Sequence, residues 1–399
     1  MIKKIGTSEL LVGMYVHDLD AAWMDHPFFV SHFMVKDEQT IQRIASAGLR
    51  EVYIDTGRGK DIDAGVTLPE VEAQVARRIG SVPEPGVARR ASVPAAVEMD
   101  RARRLYRETT SVVRNLMSSS RSGRQVDVAV LDPMAERMVQ SAFRNPHALS
   151  GISRIKSKDE YTFMHCVGVS ALMVSFALEM QLSEQEIHDV AMGGLVHDIG
   201  KSLVPQSVLN KPDRLNDDEF AKMRDHVTFG RQMLEYLPGI SKTALDVALL
   251  HHERMDGTGY PAGKGSTTIS LIGRMSAIVD VYDALTSVRV YKNAWEPTLA
   301  MKKLVEWSPS HFDAELVQRF VRCIGIYPVG ATVALESGRV GVVIDQGEKL
   351  MQPTLRIFYN REHRRYERPT DLDLAQTETD RIVAAIDPRQ YGLDPTLFV

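Results

Sequence analysis

Residues 193–201 read GGLVHDIGK. The adjacent pair His197-Asp198 sets an imidazole beside a carboxylate, and neighbouring side chains on a helix point in different directions, so each can face a different centre. A histidine alone on a helix is more often a packed core residue than a ligand. The surroundings alter that balance, because five of the 12 histidines in the chain fall in this half with carboxylates close by: His165, His197, His226, and the doublet His251-His252. Asp280 lies in SAIVDVYDALTSV, where an unpaired carboxylate among apolar neighbours is costly. Neutral imidazoles with a bridging carboxylate suit a pair of divalent ions, and metal binding explains the whole set at least cost.

Outward from that stretch, apolar residues recur at three- and four-residue steps from about 127 to 325, which predicts an almost continuously helical region. Ser183 with Glu186, and Asn216 with Glu219, predict two capped helix starts, each followed by a helix carrying a histidine. Upstream, GMYV at Gly13 and EVYID at Glu51 read as strands and DEQTIQRIASAGL at 37–49 as a helix, so residues 1–65 form a small α+β module. SVPEPGVARRASVPAA, residues 81–96, reads as an exposed linker. The arginines between Arg77 and Arg124 read as a solvated face, with an anionic partner as the alternative. Downstream of Tyr327-Pro328, ATVALESGRVGVVID and PTLRIFYN alternate as strands do. The expected architecture is multi-domain: a module at 1–65, linker and helix at 66–126, a mainly α-helical domain at 127–328, and a small β-rich appendage with a tail at 329–399.

Composition excludes several classes. With 44% hydrophobic and 25% charged residues the chain is neither disordered nor fibrous, and a net charge of −4 supplies no whole-chain argument for nucleic acid. Two cysteines, Cys166 and Cys323, suit a reducing compartment. No signal-length apolar run follows MIKKIGTSEL, so a cytoplasmic location is expected. VGVSALMVSFAL from Val167 reads as a buried helix, too short to cross a bilayer.

The motifs YTFMH ending at His165, GGLVHDIGK ending at Lys201, HHERMDGTGYP ending at Pro261 and IVDVYDALTSVRVYK ending at Lys292 resemble the HD superfamily of metal-dependent phosphohydrolases. More narrowly they resemble its HD-GYP subfamily of cyclic di-GMP phosphodiesterases, over roughly residues 150–328. GMYVHDLD, HPFF and EVYIDTGRG are similar to a small module often found upstream of HD-GYP domains. The resemblance implies hydrolysis of cyclic di-GMP to linear pGpG, and onward to GMP as an extension, in bacterial second-messenger signalling. It also implies two divalent metals, iron or manganese preferred over cobalt or zinc. His165, His197, Asp198 and Asp280 would surround one ion, and Asp198, His226, His251 and His252 the other, with Asp198 bridging. Lys201 would donate to a phosphate oxygen. Arg289 and Lys292 would clamp the substrate, although Val288 and Val290 stand where the family usually has Asp and Pro. Tyr260 would line the nucleotide pocket, and Asp283 would either orient a ligand histidine or touch substrate.

Tyr161 occupies the position where some members of the subfamily carry a glutamate for a third ion. Glu160, one residue away, is turned about 100° around the helix. A packing role for Tyr161 and a count of two ions are therefore expected. The partners implied are cyclic di-GMP and signalling proteins such as diguanylate cyclase domains, with no DNA, RNA or membrane insertion. Other readings are a phosphodiesterase for another cyclic dinucleotide and a catalytically weak cyclic di-GMP receptor.

Overall fold

The protein is described from a computed structural model covering residues 1–21, 28, 32–84, 93, 95–152, 161–211, 213, 215–287, 294–308, 310–347, 349–377 and 379–398. Two compact units are present, Met1–Ser81 with Val204–Asp225, and Val82–Leu203 with His226–Val399. In chain order the α-helices are α1 (Glu38–Ser46), α2 (Leu68–Gly80), α3 (Ala95–Arg121), α4 (Asp132–Arg144), α5 (Pro146–Ile152), α6 (Tyr161–Glu179), α7 (Glu184–Val196), α8 (Gln206–Leu209), α9 (Asp217–Arg224), α10 (His226–Leu234), α11 (Lys242–Leu250), α12 (Leu271–Thr286), α13 (Pro297–Trp307) and α14 (Ala314–Ile324). The strands are β1 (Ile2–Gly6), β2 (Tyr15–Asp18), β3 (Phe33–Met34), β4 (Glu51–Asp55), β5 (Val66–Thr67), β6 (Thr332–Leu335), β7 (Arg339–Asp345), β8 (Thr354–Asn360), β9 (Arg365–Asp373) and β10 (Ile382–Ala385).

In the first unit the strands form an antiparallel sheet in the order β3-β2-β4-β1-β5, with Ile5 opposite Val52. Ile5, Val16, Val52 and Ile54 bury with Ile44 of α1, so strand alternation and one helix face close a small core. Asp37 caps α1 by accepting from the Thr40 amide at 2.8 Å. A boundary at residue 65 is too early. Val66 pairs with Lys4 of β1, and a Thr67–Glu70 capping box starts α2, which buries Val71 and Val75. The Asn216–Glu219 box is also present, but α9 stops at Arg224 and carries no histidine; His226 opens the separate helix α10.

In the second unit α6 forms the spine, with every residue from His165 to Ala177 buried. Counted from Tyr161 it is 19 residues long and, by length and composition alone, apolar enough to cross a bilayer, which corrects the shorter span read from Val167. Its burial against α3, α7 and α12 explains that apolarity instead. Helix α7 comes close because Gly194 has no side chain: a Cβ there would stand 2.5 Å from Ser170 Cα. Helix α3, the helix expected within residues 66–126, packs along α4, α5 and α6 and so belongs to the same packed unit as the helices that follow it. Fully buried Glu98 accepts from Ser141 Oγ at 2.7 Å and from both Arg144 Nε and Nη2 at 2.8 Å, joining α3 to α4. The C-terminal strands form a second antiparallel sheet, β10-β6-β7-β8-β9, whose core includes Val340, Val342 and Phe358.

Candidate metal centre

Two of the five histidines end helices. His197 follows α7 and His251 follows α11, and each turns its Nδ1 back onto the last turn of its own helix, where carbonyls lack intrahelical donors. His197 Nδ1–H donates to Gly194 O at 2.8 Å, and His251 Nδ1–H to Ala248 O at 2.9 Å. A carbonyl can only accept, so the proton sits on Nδ1 and Nε2 offers a lone pair to the interior. His165, from the second turn of α6, is set the same way by Asp283 of α12, whose Oδ2 lies 2.6 Å from Nδ1. Asp283 therefore meets the ring nitrogen of His165 opposite the one that faces Asp280.

The inward atoms converge. His165 Nε2 lies 2.9 Å from Asp280 Oδ1 and 3.7 Å from Asp198 Oδ2. His197 Nε2 lies 3.4 Å from Asp198 Oδ2 and 3.7 Å from Asp280 Oδ1. On the other side of Asp198, His226 Nε2 is 3.4 Å from Oδ1 and 3.5 Å from His251 Nε2. His252 Nδ1 stands 3.7 Å from Asp280 Oδ2. Three sets bring their potential ligand atoms within 4.8 Å of one another: His165–His197–Asp280, His197–Asp198–His251 and His226–His251–His252.

Among the described residues His197 Nε2, Asp198 Oδ1 and His252 Nε2 are buried without a hydrogen-bond partner. Buried polar atoms are almost always satisfied, and lone pairs facing one another repel unless a cation lies between them. The donor set therefore fits metal ions. Burial pushes His251 down to about 3 and holds His252 well below the ordinary imidazole value, so both are neutral ligands at neutral pH. Burial alone would neutralise Asp198, but the Lys201 ammonium beside it overcomes this and keeps its carboxyl well below the usual carboxylate range. Asp280 is held low against burial chiefly by His165.

Lys201 lies on a 3₁₀ turn, Ile199–Ser202, not on a continuing α-helix, and its Nζ is 2.5 Å from Asp198 Oδ2. Gly200 permits that turn to press on α10; a side chain there would strike the His226 carbonyl. Tyr260 stacks on His252 with ring centroids 4.6 Å apart. Tyr161 stacks on His165 with ring centroids 5.5 Å apart. Arg289, Lys292 and Glu160 lie outside the described residues. Helix α12 ends at Thr286, and Ser287 is extended.

Sequence reasoning missed Glu253. It is buried and accepts from the Ala262 and Lys264 amides at 2.9 and 2.8 Å, tying down both ends of the loop that carries Tyr260. An acid directly after a histidine doublet and before a glycine-rich loop was the available signal.

Paired helices converging buried histidines on a shared aspartate define an HD-type phosphohydrolase centre. Residues 133–316 match the family described as HD domain, residues 2–131 a domain of unknown function (DUF3391), and residues 332–393 a KOW domain associated with HD domain. The chain is 39% identical to cyclic di-GMP phosphodiesterase PA4108 of Pseudomonas aeruginosa over 386 residues, which is 96% of this chain and 92% of that one. It is 34% identical to the cyclic di-GMP phosphodiesterase response regulator RpfG of Xanthomonas campestris over 222 residues, 55% of this chain and 58% of RpfG. It is 38% identical to 3′3′-cGAMP-specific phosphodiesterase 1 of Vibrio cholerae over 140 residues, 35% and 32% of the two chains. The chain belongs to the HD-GYP family and carries the DUF3391 module at its N-terminal side.

Proposed function

We propose that this protein hydrolyses cyclic di-GMP to linear pGpG at the His/Asp centre. One observation carries the reading: among the described residues the buried atoms His197 Nε2, Asp198 Oδ1 and His252 Nε2 have no hydrogen-bond partner, in a chain that aligns with a named cyclic di-GMP phosphodiesterase over 92% of that protein's length. Ring opening breaks one P–O3′ bond, consumes one water, and leaves a 5′-phosphate and a 3′-hydroxyl. Two divalent ions, iron or manganese, held by His165, His197, Asp198 and Asp280 and by Asp198, His226, His251 and His252, would neutralise phosphate charge and acidify a water.

The chain's own groups do the rest. Asp283 keeps His165 in one tautomer and one orientation. Lys201, buried beside Asp198, supplies an ammonium where charge accumulates on a nonbridging oxygen. The Tyr260–His252 stack offers a flat edge for a purine, and Glu253 fixes the loop beneath it. Arg289 and Lys292, assigned by family resemblance, bind the second phosphate or a guanine edge.

Incubation of the metal-loaded protein with cyclic di-GMP, 3′3′-cyclic GMP-AMP and cyclic di-AMP, followed by chromatography, tests the reading. The expected result is pGpG from cyclic di-GMP at the highest rate. Preferential turnover of another dinucleotide would change the substrate, and tight binding without turnover would favour the receptor reading.

A further inference from the structure

Helix α3 precedes the residues that match the HD domain, which begin at 133, yet its last turn lies against the turn that carries Lys201. Arg121 Nε donates to Ser202 O at 3.2 Å and Nη2 to Lys201 O at 3.4 Å. Next to it, the Ser120 and Ser202 hydroxyls are 2.7 Å apart. Further up the same helix, buried Tyr106 bonds through its hydroxyl to Met164 O at 2.5 Å, one residue before His165.

The turn needs outside support. A 3₁₀ turn is short and its hydrogen bonds are poorly aligned. This one contributes Lys201 N to Asp198 O at 2.9 Å and Leu203 N to Gly200 O at 3.0 Å. On one side Gly200 rests on the His226 backbone, and on the other stand Ser120 and Arg121. A guanidinium can grip two successive carbonyls because its donors are fixed in a plane. Because Lys201 Nζ reaches Asp198 Oδ2 at 2.5 Å, fraying of the turn draws the ammonium away from its place beside that carboxylate.

We propose that Arg121 is a positioning residue for the reaction, clamping the Lys201–Ser202 backbone so that the Lys201 ammonium holds its place beside Asp198. This rests on the hydrolase reading above for its catalytic consequence, though not for the clamp itself. Arg121 is exposed and touches no proposed ligand, so its loss should leave fold and metal content intact.

The test compares full-length wild type, Arg121→Ala, Arg121→Lys and the control Arg124→Ala, an exposed arginine three residues on. Arg121→Ala should lower kcat on cyclic di-GMP about tenfold or more, as small misplacements of catalytic groups do, with KM within about twofold and metal content unchanged. Arg121→Lys, able to reach one carbonyl, should recover to within about threefold of wild type. Amide hydrogen exchange of metal-free protein should speed up about tenfold at Lys201 and Leu203 in Arg121→Ala, with α12 unaffected. Exchange unchanged in Arg121→Ala, a kcat equal to wild type, or a loss shared equally by Arg124→Ala would each overturn the proposal. If wild type hydrolyses no cyclic dinucleotide the hydrolase reading fails, and the exchange measurement still decides whether Arg121 holds the turn.

Discussion

His165 has a carboxylate at each ring nitrogen, Asp283 at Nδ1 and Asp280 at Nε2, and the two contacts do different work. The first sets the tautomer; the second is where a cation would enter. Asp283→Asn keeps the volume but can present an amide N–H instead of an acceptor, so it should weaken metal binding about 10–100-fold, as loss of such an outer partner typically does. Chelator competition would measure this, and wild-type affinity in the variant would return Asp283 to a packing role. At Arg289 and Lys292 the expectation differs in kind: neutralising either should raise KM more than it lowers kcat, because a clamp of the kind proposed would bind substrate without taking part in bond cleavage. Steady-state kinetics showing a large fall in kcat at constant KM for both would contradict the clamp.

Helix ends explain why the ligand set was legible while some of its geometry was not. The His197-Asp198 and His251-His252 doublets stand out by residue type alone. What the types do not reveal is that α7 and α11 each stop at the first histidine and use its Nδ1–H as a cap. The helix expected to carry His226 breaks at Asp225, and Lys201 sits on a tighter turn than the expected α-helical one, because Gly200 lets the backbone of α10 approach. A close backbone contact between distant elements leaves no periodic mark.

The Glu98 link between α3 and α4 was equally hidden, since Glu98 looks like a surface acid in a helix. Burial raises the Glu98 pKa, but Arg144 and Ser141 outweigh it and leave the pKa below its ordinary 4.5. A depressed pKa means stability that is present above 4.5 and lost as pH falls through the folded-state value. Glu98→Gln should therefore cost about 1.5–3 kcal/mol at pH 7, the range for hydrogen bonds to charged groups. The urea midpoints of variant and wild type should converge as pH is taken below 4.5; a constant gap would mean that shape, not charge, joins the helices.

Across the whole molecule the three-part plan was readable from periodicity, but its edges were not. Strand β5 has two residues, too few to show alternation, so the N-terminal module looked finished at 65 although α2 packs on it. Strand β9, RYERPTDLD, is largely exposed at the edge of its sheet, where charges and a proline keep other strands from pairing, and such composition reads as loop. The grouping of Val204–Asp225 with the N-terminal strands has no sequence signature either. By contrast, the proposed ligands all fall in the unit formed by Val82–Leu203 and His226–Val399. Tyr161 stacks on His165 and supplies no carboxylate for a third ion. The central claim is that Asp198 bridges two ions in a hydrolytic centre. Elemental analysis of folded wild type and Asp198→Ala, with cyclic di-GMP turnover measured on the same samples, tests it most directly. The account predicts two ions per wild-type chain, none tightly held by the variant, and turnover lost with them; two ions retained in Asp198→Ala, or a third full-occupancy ion in wild type, would contradict it.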